Sequence, residues 1–141
     1  MYASIADMTS RFGEAEMIRF SVAGGEIPEE ILPARIEGAL TDASHLIDSY
    51  LGRRYRTPIA SPTPELVRAA CVLARFDLAH GVEREPTEQM RLARKDVIAW
   101  LERLADGGAV LEGADSTATV ATKARWHDRQ PAFVTPPNGG L

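Results

Sequence analysis

The side chains best suited to chemistry in this sequence are three histidines, one cysteine and one run of arginines. His45 and Asp48 stand three residues apart, as do Asp77 and His80, both within stretches of helical character. Each pair therefore shares a helix face and offers two ligands to a metal ion. Two ligands do not make a site, and neither pair has a third close in sequence. There is no HExxH and no CxxC. Local polar pairing on a helix surface is the expected role of both. A nucleophilic Cys71 would need an activating base and an exposed position. It lies instead in the run Ala69 to Ala74, where a buried small hydrophobe is expected. The glycine pairs at 24–25, 107–108 and 139–140 lack the strand–glycine–helix setting of a phosphate loop. The expectation is a chain that is not an enzyme and has no cofactor or metal site.

The one concentrated basic patch is Arg53-Arg54-Tyr55-Arg56. Arginines beside an aromatic suit phosphate and bases. They equally suit carboxylates of a neighbouring subunit, because the planar guanidinium fork matches a carboxylate. Three arginines are few for DNA binding, and their place after a helix already favours them near its negative end. These four residues, with Trp126, Arg129 and Phe133 further on, are the candidate partner or inter-subunit contacts.

Five amphipathic stretches must position these groups. Ser4 caps a first short helix carrying Ile5, Met8 and Phe12 on one face, stopped by Gly13. A second, Glu14 to Phe20, follows, and Gly24-Gly25 mark a loop. The third is expected from about Glu29 to Leu51, with Leu32, Ile36, Leu40, Ala43, Ile47 and Tyr50 at spacings of three or four. Pro33 is tolerable only in the first turn, so the start lies close to Glu29–Leu32. Pro58, Pro62 and Pro64 then force an extended connection. Glu65 to His80 forms a fourth helix, and Thr87 to Asp106 a fifth, with Met90, Ala93, Val97, Leu101 and Leu104 as its stripe. The fold class is all-α: a small bundle of four to five helices, the third to fifth forming the bundle and the first two packing at one end.

The chain then changes character. Ala109-Val110-Leu111 suggests a brief strand, but residues 112–141 are rich in Gly, Pro, Thr, Ala and Asp. Scattered apolar residues do not offset the entropy of ordering such a backbone alone. The expected organisation is a helical domain, 1–110, and an extended, irregular C-terminal segment, 111–141, that is either a disordered tail or an arm that orders against a partner. Trp126 and Phe133 would be its anchors.

Composition agrees with an ordinary globular chain: 141 residues, 45% hydrophobic and 26% charged, with aromatics at only 6%. A net charge of −4 has the wrong sign for general nucleic-acid binding. Residues 1–50 hold three basic against nine acidic side chains; the remainder holds thirteen against eleven. That asymmetry suits head-to-tail contact between copies, and equally a chance scatter of charge over a solvated surface. A lone cysteine excludes an intrachain disulfide. The polar, acidic start MYASIADMTSRFGE does not read as a signal peptide, and the longest apolar run is six residues, far short of a membrane span.

Several stretches resemble a family of Mu-like phages and prophages. They are Met1-Tyr2-Ala3-Ser4, Arg11-Phe12-Gly13-Glu14, Asp42-Ala43-Ser44, Ile47-Asp48-Ser49-Tyr50-Leu51, Arg54-Tyr55, Pro58-Ile59, Ala74-Arg75-Phe76 and Trp100-Leu101. The likeness covers roughly residues 1–110. It implies a head–tail connector, an adaptor or head-completion protein of the virion neck made in the bacterial host cytoplasm. In such assemblies about a dozen copies form a ring. The implied partners are the portal protein, like neighbours and a stopper or tail-terminator protein, with DNA passing through the channel without sequence-specific binding and no membrane contact. The alternative is a small phage DNA-binding or regulatory helical protein using Arg53–Arg56.

Overall fold

The computed structural model describes residues 1–117. Five helices account for most of them: α1 (Ile5–Phe12), α2 (Glu14–Phe20), α3 (Pro33–Leu51), α4 (Pro64–Ala79) and α5 (Glu88–Asp106). No strand forms among the described residues, so the all-α expectation holds.

Side chains at the helix starts explain most boundaries. Ser4 and Asp7 form a reciprocal capping box: Ser4 Oγ accepts from the Asp7 amide at 3.2 Å, and Asp7 Oδ2 accepts from the Ser4 amide at 2.8 Å. Thr63 and Thr87 cap α4 and α5 by accepting from the amides of Leu66 (3.3 Å) and Met90 (3.2 Å). Pro64 occupies the first turn of α4, where its missing N–H costs nothing. α3 begins at Pro33, just after the expected start at Glu29–Leu32. Pro33 excludes the helical conformation for the residue before it, and Leu32 is accordingly extended (φ −98°, ψ 115°). Leu32, expected in the buried stripe, is therefore outside the helix and exposed.

The core lies among α3, α4 and α5. Ile36, Leu40, Ala43, Ile47 and Leu51 of α3 meet Leu66, Ala70, Leu73 and Ala74 of α4 and Val97, Leu101 and Leu104 of α5. Each fully buried leucine or isoleucine contributes about 1.5–3 kcal/mol of burial free energy. The small residues Ala69, Ala70, Cys71 and Ala74 on α4 suit a close approach of α3, its main neighbour. Cys71 is fully buried there, as expected.

The two short helices do not sit at one end of the bundle. They lie along it, against α3 and α4. At one extreme the Tyr2 amide donates to Ser44 Oγ (2.9 Å), and the Tyr2 hydroxyl joins Asp48 and accepts from the Ile59 amide (2.9 Å). At the other, Arg35 at the start of α3 donates to the Phe20 carbonyl at 2.8 Å. Between them Arg75 of α4 grips Glu16 of α2.

The brief strand expected at Ala109–Leu111 does not form. Gly107, in the left-handed region at φ 90°, ends α5 and turns the chain back across the bundle. Leu111 is buried, and its amide donates to the Tyr55 hydroxyl at 2.9 Å rather than to a strand. Residues 115–117 then pair with the segment after α3: Arg56 N–H to Asp115 C=O (3.1 Å) and Thr117 N–H to Arg54 C=O (2.8 Å). The start of the expected arm, 111–117, is thus docked on the helical domain.

Candidate partner-binding surfaces

The antiparallel run of α3, α4 and α5 gives the molecule two ends. One is built by the residues after α3, the N-terminus of α4, the C-terminus of α5 and residues 107–117. The other, a loop end, is built by residues 21–32, which precede α3, and residues 80–87, between α4 and α5.

The first end carries the arginine cluster, and its four members have separate fates. Arg53 is exposed and makes a surface ion pair with Asp106 at 3.5 Å, a contact of small energetic weight in water. Arg54 turns inward. Its guanidinium donates to the Leu104 carbonyl (3.4 Å), satisfying one of the orphan acceptors at the end of α5, and lies 5.9 Å from the Tyr55 ring centroid. Tyr55 is only 3% exposed, so it is a core residue and presents no surface to a partner. Its hydroxyl is needed to hold Leu111. Arg56 is exposed, with its backbone amide tied to Asp115. Of the cluster, only Arg53 and Arg56 present their side chains fully to solvent. Trp126, Arg129 and Phe133 lie outside the described residues.

The loop end was not singled out by sequence reasoning, yet it is the more built of the two. Arg35 and Arg84 staple it. Arg35 donates to the carbonyls of Phe20 (2.8 Å), Leu78 (3.3 Å) and His80 (2.7 Å). Arg84 donates to those of Arg19 (2.9 Å) and Val22. Five carbonyls at or just beyond the C-terminal ends of α2 and α4 thus receive charged donors where the helix dipoles are negative. Burial, and then the nearby Arg84, lowers the Arg35 pKa from its ordinary value. The Val82 amide donates to the Ala23 carbonyl at 2.9 Å, closing the two loops on each other. Gly81 is required there, since a Cβ would stand 2.3 Å from the Ala23 oxygen. The result is a groove of about 480 Å³ lined by Arg19, Val22, Ile27, Val82, Glu83 and Arg84, among others. Val82 (79%) and Ile27 (56%) are the large apolar side chains left most exposed at this end. The only sequence signal for it was the glycine pair at 24–25.

This arrangement also revises the charge asymmetry. Because the helices run antiparallel, the acidic first half of the sequence is spread over both ends. The loop end gathers Glu26, Glu29 and Glu30 from one loop and Glu83 and Glu85 from the other. These five carboxylates come from both halves of the chain and share this end with Arg19, Arg35 and Arg84.

The histidine–aspartate pairs do not form ligand sets. Asp48 faces Tyr2, while His45 is exposed. His80 Nδ1 lies 3.1 Å from the Phe76 carbonyl, and its ring packs edge-on against Phe76. No group of three candidate metal ligands occurs among the described residues. Burial pushes the Cys71 thiol up to about 11, which suppresses the nucleophilic thiolate. No helix among the described residues is long and apolar enough to cross a membrane.

A family model described as "Bacteriophage Mu, Gp36" matches residues 2–127. The chain belongs to this family. Its relatives include "Gene product J" of Escherichia phage Mu, 36% identical over 109 residues that cover 75% of this chain and 72% of the relative. Another is "Mu-like prophage FluMu protein gp36" of Haemophilus influenzae, 38% identical over 90 residues, 64% of this chain and 62% of the relative. Within the Gp36 family match lie both ends of the folded unit and ten residues beyond Thr117.

Proposed function

We propose that this chain is a structural head–tail connector of a tailed phage or prophage. Copies would stand in a ring between the portal and a stopper or tail component, with DNA passing through the channel. The role is architectural: the protein presents surfaces in register and converts no substrate. The observation that carries this reading is membership of the Mu Gp36 family, joined to the neck-adaptor likeness of residues 1–110. The fold is compatible with it. A short helical bundle with a docked C-terminal turn is a rigid block, and its loop end keeps apolar side chains in solvent beside carboxylates.

The DNA-binding alternative loses support from the arginine cluster. Tyr55 is in the core and Arg54 is engaged on α5, so the aromatic–cation platform that a base or phosphate would need is not on the surface.

The test is an amber mutation in this gene within an inducible Mu-like prophage, read by electron microscopy and by mass spectrometry of purified virions. The expected result is separate heads and tails, restored to joined particles by the gene in trans, with the protein present in wild-type virions. Fully joined, infectious particles in the mutant, or absence of the protein from virions, overturns the reading.

A further inference from the structure

We propose that residues 123–129 of one copy dock in the loop-end groove of a neighbouring copy, with Trp126 seated against Val82 and Ile27. The inference rests on the connector reading, which supplies the neighbour.

Charge complementarity is the first argument. Residues 1–117 hold thirteen basic and nineteen acidic side chains, whereas residues 118–141 hold Lys123, Arg125 and Arg129 against Asp128 alone. The positive charge is concentrated in seven residues around one tryptophan. The loop end offers the complement in its total charge: Glu83 lines the groove with Val22, Ile27 and Val82, and the two loops that build this end also carry Glu26, Glu29, Glu30 and Glu85. The cations at that end are Arg19, Arg35 and Arg84, fewer than the five carboxylates, and the last two are engaged by backbone carbonyls. Arg91 lies 3.8 Å from Glu85, an exposed pair that offsets little. An aromatic anchor in an apolar slot, ringed by charge pairs, is the usual plan of a small binding hot spot.

Reach is the second argument, and it favours a neighbour. Thr117 is fixed to Arg54 at the opposite end of the molecule from the groove. The 19 residues of α3 separate the two ends by about 28 Å. Nine residues join Thr117 to Trp126, and fully stretched they span at most about 32 Å. Docking on the same copy would demand a taut chain across a curved surface, whereas a neighbour whose groove lies near Thr117 removes that demand. Third, the family match does not stop with the folded unit but continues to residue 127, through Trp126.

The experiment is sedimentation equilibrium on the full-length chain, on Trp126→Ala, on Val82→Lys, and on an equimolar mixture of the two variants. Val82 is exposed, so its replacement leaves the core intact, which circular dichroism checks. Self-association is expected to weaken by about tenfold or more in each variant, the scale of losing an aromatic hot spot. It is also expected to weaken with added salt. The mixture is expected to recover a dimer with wild-type affinity, because one intact tail meets one intact groove. Undiminished association in either variant overturns the proposal, as does a mixture no stronger than its parts. A wild-type chain that stays single at every concentration also overturns it. The virion experiment decides the connector reading separately, so the two fail independently.

Discussion

Arg75 and Glu16 lie 59 residues apart in sequence and meet through two parallel hydrogen bonds of 2.9 and 2.8 Å. Both side chains are mostly shielded, and the Arg75 guanidinium also stacks 4.3 Å from the Phe12 ring centroid. One arginine thereby fastens both short helices to α4. A lysine at this position would keep the charge but lose the fork and the planar stacking face. Arg75→Lys is expected to cost about 1–3 kcal/mol, the scale of a charged hydrogen bond lost in a shielded site. Urea unfolding would measure it. A double-mutant cycle with Glu16→Gln should return a coupling well above that of exposed pairs such as Arg91–Glu88.

Tyr2 gives the fold a predictable alkaline limit. Burial, reinforced by the hydrogen bond to Asp48, raises its hydroxyl from the usual 10 to about 12. The folded state therefore holds a proton that the unfolded state releases above pH 10. The stabilisation from Tyr2 is complete below pH 10 and is lost progressively as pH rises from 10 to 12. Tyr2→Phe is expected to be less stable at pH 7 by about 1–3 kcal/mol, because the Ile59 amide loses its acceptor. Its stability should fall less steeply than that of the wild type between pH 10 and 12. Denaturant midpoints at a series of pH values would reveal both effects.

Tyr55→Phe should loosen residues 107–117 while sparing the bundle. The substitution leaves the buried Leu111 amide without its partner, at a cost of about 1–3 kcal/mol. Hydrogen exchange is expected to accelerate at residues 111–117 and to remain slow in α3 and α4. Uniform acceleration across all helices would show that Tyr55 supports the whole core instead.

Two glycine-to-alanine changes should have opposite signs. Gly38 lies inside α3 with open space where a Cβ would go, so Gly38→Ala is expected to stabilise by about 0.5–1 kcal/mol. Gly107 holds a left-handed conformation, and a Cβ there would stand 3.2 Å from the Arg54 guanidinium. Gly107→Ala is expected to destabilise by about 1 kcal/mol or more. Thermal melts of the two variants would separate them.

Cys71 should resist alkylation in the native protein and react on unfolding, since it is buried and its thiol is shifted well above neutral pH. Iodoacetamide labelling across a urea gradient should follow the global unfolding curve.

The five helices were legible in the sequence because their determinants are local. Ser4, Thr63 and Thr87 cap within three residues, Gly13 and Gly107 stop the chain where it must turn, and apolar residues recur at the helical period in α3, α4 and α5. Pro33 confines the start of α3 to its own neighbourhood, and its effect on the preceding residue places Leu32 outside the helix. Tertiary structure alone decided what the arginines do. Arg35, Arg75 and Arg84 carry no motif, yet long-range packing turns them into staples, while it buries Tyr55 and spends Arg54 within the cluster that seemed most exposed. The same holds for the acidic loop end, where antiparallel helices bring residues 21–32 beside 80–87. Helix formation depends on neighbours three or four residues away. The partner of a long polar side chain depends on which distant backbone the packing delivers, and a linear pattern does not encode that.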